Sequence, residues 1–456
     1  MVFQAAIAQL LPILNAVPLH CADTVLTTVA TGVSTDTRTL QPGDIFVALR
    51  GETFDGHQFI ETAFAKGAIA AIVDSTFHSS NASLPLLQVA HTLNAYQAIA
   101  HWWRNQFAIP VIAVTGSVGK TTTKELIAAV LSTLADVTHP TTVLKSQANH
   151  NNEIGVPKTL LELNSAHQYA IVEMGMRGRG EIALLSQIAR PDIAVITNVG
   201  TAHIGRLGSE AAIAEAKCEL LAELPAHSIA ILNHEHPLLL QTASNFWQGK
   251  TITFGLTGGD VQGELLDPET LLVERFKLPL PLPGRHNALN YLAALAVAKV
   301  LGFSWEPLAQ GLTVDLPSGR AKRYELPNDV VILDETYNAG LESMLAALQL
   351  LAQTPGRRRL AVLGTMKELG ERSPEFHHQV GALVAQLQLD HLLILADDPE
   401  ALAIKTGAAT IPAECFTQHD HVASRLRELM QPGDRILFKA SRSVGLDRVV
   451  EQFRCN

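Results

Sequence analysis

Cysteine is scarce in this 456-residue chain, which holds only Cys21, Cys218, Cys415 and Cys455. No two share a CxxC spacing, so neither a metal knuckle nor a disulfide framework is expected, and reduced thiols fit an intracellular setting. Early positive charge is missing too. The first Lys or Arg is Arg38, so the apolar opening "MVFQAAIAQLLPILNAVPL" lacks the basic region of a signal peptide. Pro12 and Pro18 interrupt it, and no other apolar run reaches the roughly 20 residues of a membrane span. The formal net charge of -10 excludes a nucleic-acid binder held by a broad basic surface, while leaving room for a local pocket for a small anion. These absences predict a cytoplasmic protein with no stable membrane insertion and no nucleic-acid partner.

What is present is a soluble-domain composition, 47% hydrophobic and 17% charged, in a chain long enough for about three domains. Short apolar runs, "VIAVTG" (111–116), "YAIVEMG" (169–175), "IAVITNVG" (193–200) and "SIAILNH" (228–234), alternate with helical stretches such as "TKELIAAVLSTL". Such runs suit parallel strands buried on both faces, with ligands at their carboxyl ends. The style resumes at "VVILDETYN" (330–338), "RLAVLGTM" (359–366), "HLLILADD" (391–398) and "DRILFKASR" (434–442). Between the two sets, "VDLPSGRAKRYELPND" reads as a linker. The expected fold class is α/β in three domains: a small α/β domain over 1–88, a P-loop parallel-sheet domain over 89–318, and a Rossmann-like domain over 319–456.

The stretch "VTGSVGKTTTKE" carries the chemistry. Gly116, Ser117 and Gly119 let backbone N–H groups turn onto phosphate oxygens. Lys120 adds a point charge, and the hydroxyls of Thr121 and Thr122 open the helix, Thr121 in position for Mg²⁺. The first glycine of GxxxxGK[ST] is replaced by Val114, so the match rests on the tail, the preceding strand and the following helix. Glu173 ends the next strand, where an acid serves either Mg²⁺ or solvent. His203 lies in a Gly-bounded loop at the same sheet edge and reads as a structural histidine or as a metal or phosphate contact. Lys217 lies on a helix with Glu215 and Glu219 and by itself reads as a solvated lysine.

"GSVGKTTTKE", "EMGMRGRGEI", "ITNVGTAHIGRLGS", "EAKCELL", "PGRHNALNYLAALAVA", "SGR" and "DETYNAGLESM" follow one order at sensible distances. Together they resemble the Mur ligases of bacterial cell-wall synthesis across nearly the whole chain. "SQANHNNEIGVPKTLL", "TYNAGLESMLAAL" and "VLGTMKELGERS" point, within that family, to the member that adds the terminal dipeptide. The resemblance implies an ATP-dependent, ADP-forming ligase acting through an acyl phosphate, with UDP-N-acetylmuramoyl-tripeptide and D-alanyl-D-alanine as partners. It implies a monomer, two Mg²⁺ ions, and Lys217 carried as a carbamate. Lys120, His203, Lys217 and Arg320 would be catalytic. Thr121, Glu173, His203 and the Lys217 carbamate would hold metal. His286, Asn287 and Asn290 would lie by the base, and Asp334, Tyr337 and Asn338 would close on ribose and base. Thr37 and Arg38 would contact the uridine diphosphate. Asn149, Asn151 and Asn152 would present the muramoyl peptide, and Lys439, Ser441 and Arg442 would meet the dipeptide carboxylate.

The chain departs from the family pattern at Glu335 for Asp, at Gly340 and Leu341 for Asn-Pro, at Ala440 for Gly, and at Met176-Arg177. A sister ligase for a diamino acid should carry "DNPR", which is absent. A folate polyglutamylating ligase would lack the first domain. A nucleotide-sensing protein without catalysis is disfavoured by the joint presence of Lys120, Glu173, His203 and Lys217.

Overall fold

The computed structural model describes residues 2–78, 81, 83–134, 142–396 and 398–454. Its largest sheet has nine strands. Thr142–Lys145, His167–Glu173, Val111–Thr115, Ile193–Ile196, Ile229–Asn233, Lys250–Gly255 and Val261–Asp267 lie side by side and parallel. Thr270–Val273 and Phe276–Pro279 then continue it antiparallel. The continuous apolar runs are explained by two-sided burial. Val111, Ala113, Val172 and Ile196 face one core with helices Thr92–Arg104 and Glu181–Ala189. Ile112, Val114, Ile171 and Val195 face a second core with helices Lys120–Leu134 and Arg285–Val300. The period of two therefore divides each strand between two helical layers.

Helix Arg285–Val300 is buried along most of its circumference, and its alanines let it pack closely on the Lys120–Leu134 helix. That packing puts Asn290 beneath the phosphate loop. The register does the rest: Glu173 pairs with Val114, and Ile196 with Thr115. The ends of three strands thus meet at one edge.

A five-stranded sheet precedes this, ordered Val17–Leu19, Leu86–Val89, Ala70–Asp74, Asp44–Val47 and Gly32–Ser34, the first antiparallel. A six-stranded sheet follows, ordered Lys322–Leu326, Val330–Glu335, Asp434–Lys439, Arg358–Gly364, His391–Leu395 and Ala413–Phe416. Only its edge strand Lys322–Leu326 is antiparallel. That strand lies inside the segment expected to be a linker. It alternates half-buried and exposed residues, as a charged edge strand does, and its polarity hides it from a search for apolar runs. No described helix is long and apolar enough to cross a membrane.

Candidate active site

The phosphate loop leaves strand Val111–Thr115 through Gly116 at φ 151° and Gly119 at φ 82°. A Cβ at Gly116 would lie 1.9 Å from Thr197 Oγ1, and one at Gly119 would lie 2.5 Å from Asn290 Oδ1. Only glycine fits either position, and Gly119 also needs the left-handed region. The loop is buttressed from outside. Val118 N–H donates to Asn198 Oδ1 at 3.0 Å, and Thr197 Oγ1 donates to Val118 O at 2.6 Å. Gly200 N–H donates to Ser117 Oγ at 2.8 Å. Thr123 Oγ1 donates to Asn290 Oδ1, and Asn290 reaches Asn287. Lys120 folds its ammonium back onto the carbonyls of Gly116 (2.7 Å) and Ser117 (3.3 Å). Thr122 is half-buried on the same helix.

Glu173 is buried and fully engaged. Thr121 Oγ1 donates to its Oε2 and Asn151 Nδ2 to its Oε1, both at 2.9 Å. Lys124 Nζ lies 3.9 Å away, donates to Ser146 O, and pairs with Glu125 at 3.0 Å. Ser146 Oγ in turn accepts Glu173 N–H. Thr121 and Glu173 thus offer the hard oxygen donors that suit Mg²⁺. Among the described residues no three His, Cys, Asp or Glu gather into a metal cage.

Positive charge converges here. Burial pushes the ammonium of Lys217 well below the ordinary lysine range, and Lys120 pushes it the same way, against Cys218 and Glu342. Burial likewise lowers Lys120, with Glu173 opposing and Arg320 adding, and it lowers Lys439. His203 is lowered by burial, opposed by Glu368 and assisted by Lys120 and Lys217. His286, deep in the cleft though partly open to water, is pushed down to about 4 by burial and by Lys439. Lys120 and Lys439 each lie within reach of Arg320's charge and Lys217 within reach of Lys120's, so positive charge is crowded in one cleft and a bound polyphosphate would relieve it.

The C-terminal lobe completes the cleft. Arg320 stacks its guanidinium 3.9 Å from the Tyr337 ring centre, and its buried Nε has no partner. Tyr337 N–H donates to Gly319 O. Asp334 is buried and spends Oδ1 on Thr336 N–H and hydroxyl, and burial raises its carboxyl. Lys439 donates to Asn338 O at 3.0 Å and faces Glu335 at 3.7 Å. Ser441 is buried and donates to Ala339 O, whereas Arg442 is exposed and pairs with Asp447. His203 and Glu368, both non-glycine residues at positive φ, contact each other across the lobes. Beside them a Cβ on Gly205 would lie 2.4 Å from Gly370 N.

Not every expected residue joins this cluster. Thr37 and Arg38 lie in the turn after strand Gly32–Ser34 of the first sheet, where Arg38 is exposed and pairs with Asp36. Asn149 is exposed, and Asn152 spends Oδ1 on the N–H groups of Ile154 and Gly155 at the start of helix Gly155–Leu161. Three contributors had no signal of their own in the sequence: Lys124, Glu342 and Glu368. All three stand inside quoted motifs, but only folding shows what they touch.

A glycine-built phosphate loop beside a carboxylate, closed by a second α/β lobe, defines an ATP-dependent ligase architecture, and the chain belongs to the Mur ligase family. Residues 29–150 match the Mur ligase family catalytic domain, 114–298 the Mur ligase middle domain, and 319–442 the Mur ligase glutamate ligase domain. Among individual relatives, the UDP-N-acetylmuramoyl-tripeptide–D-alanyl-D-alanine ligase of Synechocystis sp. is 60% identical, covering 92% of this chain and 91% of its own. The Escherichia coli protein of the same name is 36% identical over 99% and 98%. A crystal structure of MurF from Acinetobacter baumannii superposes with a TM-score of 0.89 at 32% identity, covering all of both chains. That of the Thermotoga maritima MurF ligase in complex with ADP gives 0.82 at 32%, covering 93% and 97%.

Proposed function

We propose that this protein joins D-alanyl-D-alanine to UDP-N-acetylmuramoyl-tripeptide with hydrolysis of ATP to ADP and phosphate, in peptidoglycan precursor synthesis. The observation that carries this reading is likeness of the whole chain to enzymes of that name, coupled with a cationic cleft at the phosphate loop. The terminal carboxylate of the tripeptide attacks the γ-phosphorus, ADP leaves, and an acyl phosphate forms. The amine of the dipeptide then attacks the acyl carbon. The tetrahedral intermediate collapses to the amide, expelling phosphate and releasing the amine proton.

Lys120 and Arg320 would neutralise the phosphates as two anions approach. Thr121 and Glu173 would hold one Mg²⁺, and His203 a second. Bound Mg²⁺ would supply charge neutralisation and a template for the phosphate oxygens. Lys217, whose burial disfavours the ammonium, suits reaction with carbon dioxide; as a carbamate it would offer two oxygens in place of a repelling ammonium. His286, Asn287 and Asn290 would flank the base, with Asp334, Tyr337 and Asn338 closing from the other lobe. Residues 1–88, through Thr37 and Arg38, would hold the nucleotide sugar. Asn149, Asn151 and Asn152 would address the peptide, and Lys439, Ser441 and Arg442 the dipeptide carboxylate. The ATP and nucleotide-sugar substrates fit a cytoplasmic reaction, and a cleft built from one chain fits a monomer.

The test is phosphate release with ATP, the UDP-muramoyl tripeptide and D-alanyl-D-alanine. Release should require all three. Equal release with the dipeptide omitted would overturn the reading.

A further inference from the structure

Glu342 has no part in the roles above. It lies in the first turn of helix Leu341–Gln353 in the C-terminal lobe. Its Oε1 accepts the N–H of Thr201, 141 residues earlier, at 2.7 Å. The fit is close: a Cβ at Gly200 would lie 2.5 Å from the Glu342 carboxylate carbon, and its three nearest atoms would all belong to Glu342. From Gly200 the path continues into the phosphate loop, because Gly200 N–H donates to Ser117 Oγ at 2.8 Å. Among the described residues, Glu342 Oε2 and Thr201 Oγ1 are both buried without a hydrogen-bond partner. An unsatisfied buried carboxylate oxygen is costly, so the Thr201 contact must hold the side chain there against that cost.

We infer that Glu342 is a positioning residue for the phosphorylation step: it grips the Gly200–Thr201 turn and so sets the phosphate loop only when the C-terminal lobe is docked. The inference rests on the ligase reading for its kinetic consequence. The grip itself is independent of the reaction.

The test compares Glu342→Ala, Glu342→Gln, Gly200→Ala and Ser343→Ala. Ser343 Oγ accepts Gly340 N–H, so its loss loosens the same helix start without touching the turn. Glu342→Ala should lower kcat for ADP formation about tenfold or more, the loss expected for a charge-assisted hydrogen bond. ADP affinity by calorimetry should move less than about threefold, because Glu342 grips the Gly200–Thr201 turn and is not placed on the nucleotide. Glu342→Gln keeps an acceptor for Thr201 N–H and should stay within about threefold of wild type in kcat. Gly200→Ala should cost kcat in the wild-type background and cost less in the Glu342→Ala background, since the atoms nearest its added carbon belong to Glu342. Wild-type kcat in Glu342→Ala, an equal loss in Ser343→Ala, or independent effects of Gly200→Ala and Glu342→Ala would each overturn the inference. Small-angle scattering without substrates should show a larger radius of gyration for Glu342→Ala than for wild type. An absence of wild-type turnover would strike the ligase reading alone, leaving that difference standing.

Discussion

The hydroxyl of Thr121 lies 2.9 Å from the carboxylate of Glu173, tying the first turn of the phosphate-loop helix to the tip of the neighbouring strand. Glu173→Gln keeps the shape and the Thr121 contact but removes the charge. It should raise the Mg²⁺ concentration for half-maximal ADP formation about tenfold or more. An unchanged Mg²⁺ dependence would remove Glu173 from the metal site.

Lys120 rests on two backbone carbonyls at the mouth of the loop, where burial depresses its ammonium. Lys120→Ala should reduce turnover by about 10²–10³-fold or more, the scale of losing one preorganised donor to a developing anion. Steady-state phosphate release checks this, and near-normal release would take the loop lysine out of the reaction.

Lys217 predicts a pH signature. Its ammonium is pushed well below the ordinary range, so the neutral amine persists to lower pH than in an ordinary lysine and is lost as pH falls through that lowered value. Carbamate forms from the amine, so protein in ¹³C-bicarbonate should show a carbamate carbon resonance at neutral pH that fades on acidification. Lys217→Met should lack it. A wild-type spectrum without the resonance would refute the carbamate.

His286 predicts a stability slope. Its folded value of about 4 lies below the unfolded value of roughly 6.5, so between them the unfolded chain binds the extra proton. Stability should therefore fall as pH drops through that window and be unaffected by this residue above it. Because the ring is partly open to water, the loss should be about 1–3 kcal/mol rather than the full conversion of the shift. Thermal melts of His286→Gln should show a shallower acid decline, and identical profiles would contradict this.

The phosphate loop and the strands beside it were legible because their signals are local: an apolar run, a glycine at each turn, a helix after. Glu173 and His203 were legible as strand-end residues because a parallel sheet aligns its carboxyl ends. The edge strand Lys322–Leu326 was not, since one face is solvated and its side chains are charged. Asn152 looked like a substrate residue by motif, yet its amide oxygen caps a helix, and sequence cannot separate those uses. Glu342 and Glu368 were silent because their partners, Thr201 and His203, lie more than 140 residues away in chain order, and only lobe packing joins them.

At Gly205 and Gly370 only main chain separates the two lobes. The pocket above that seam can be recharged or reshaped by exchanging side chains, but the seam has none left to give up. Any carbon added there acts as a shim. The spacing of the two lobes at this seam is therefore gauged by the thickness of two peptide backbones, a dimension that substitution can widen but never narrow.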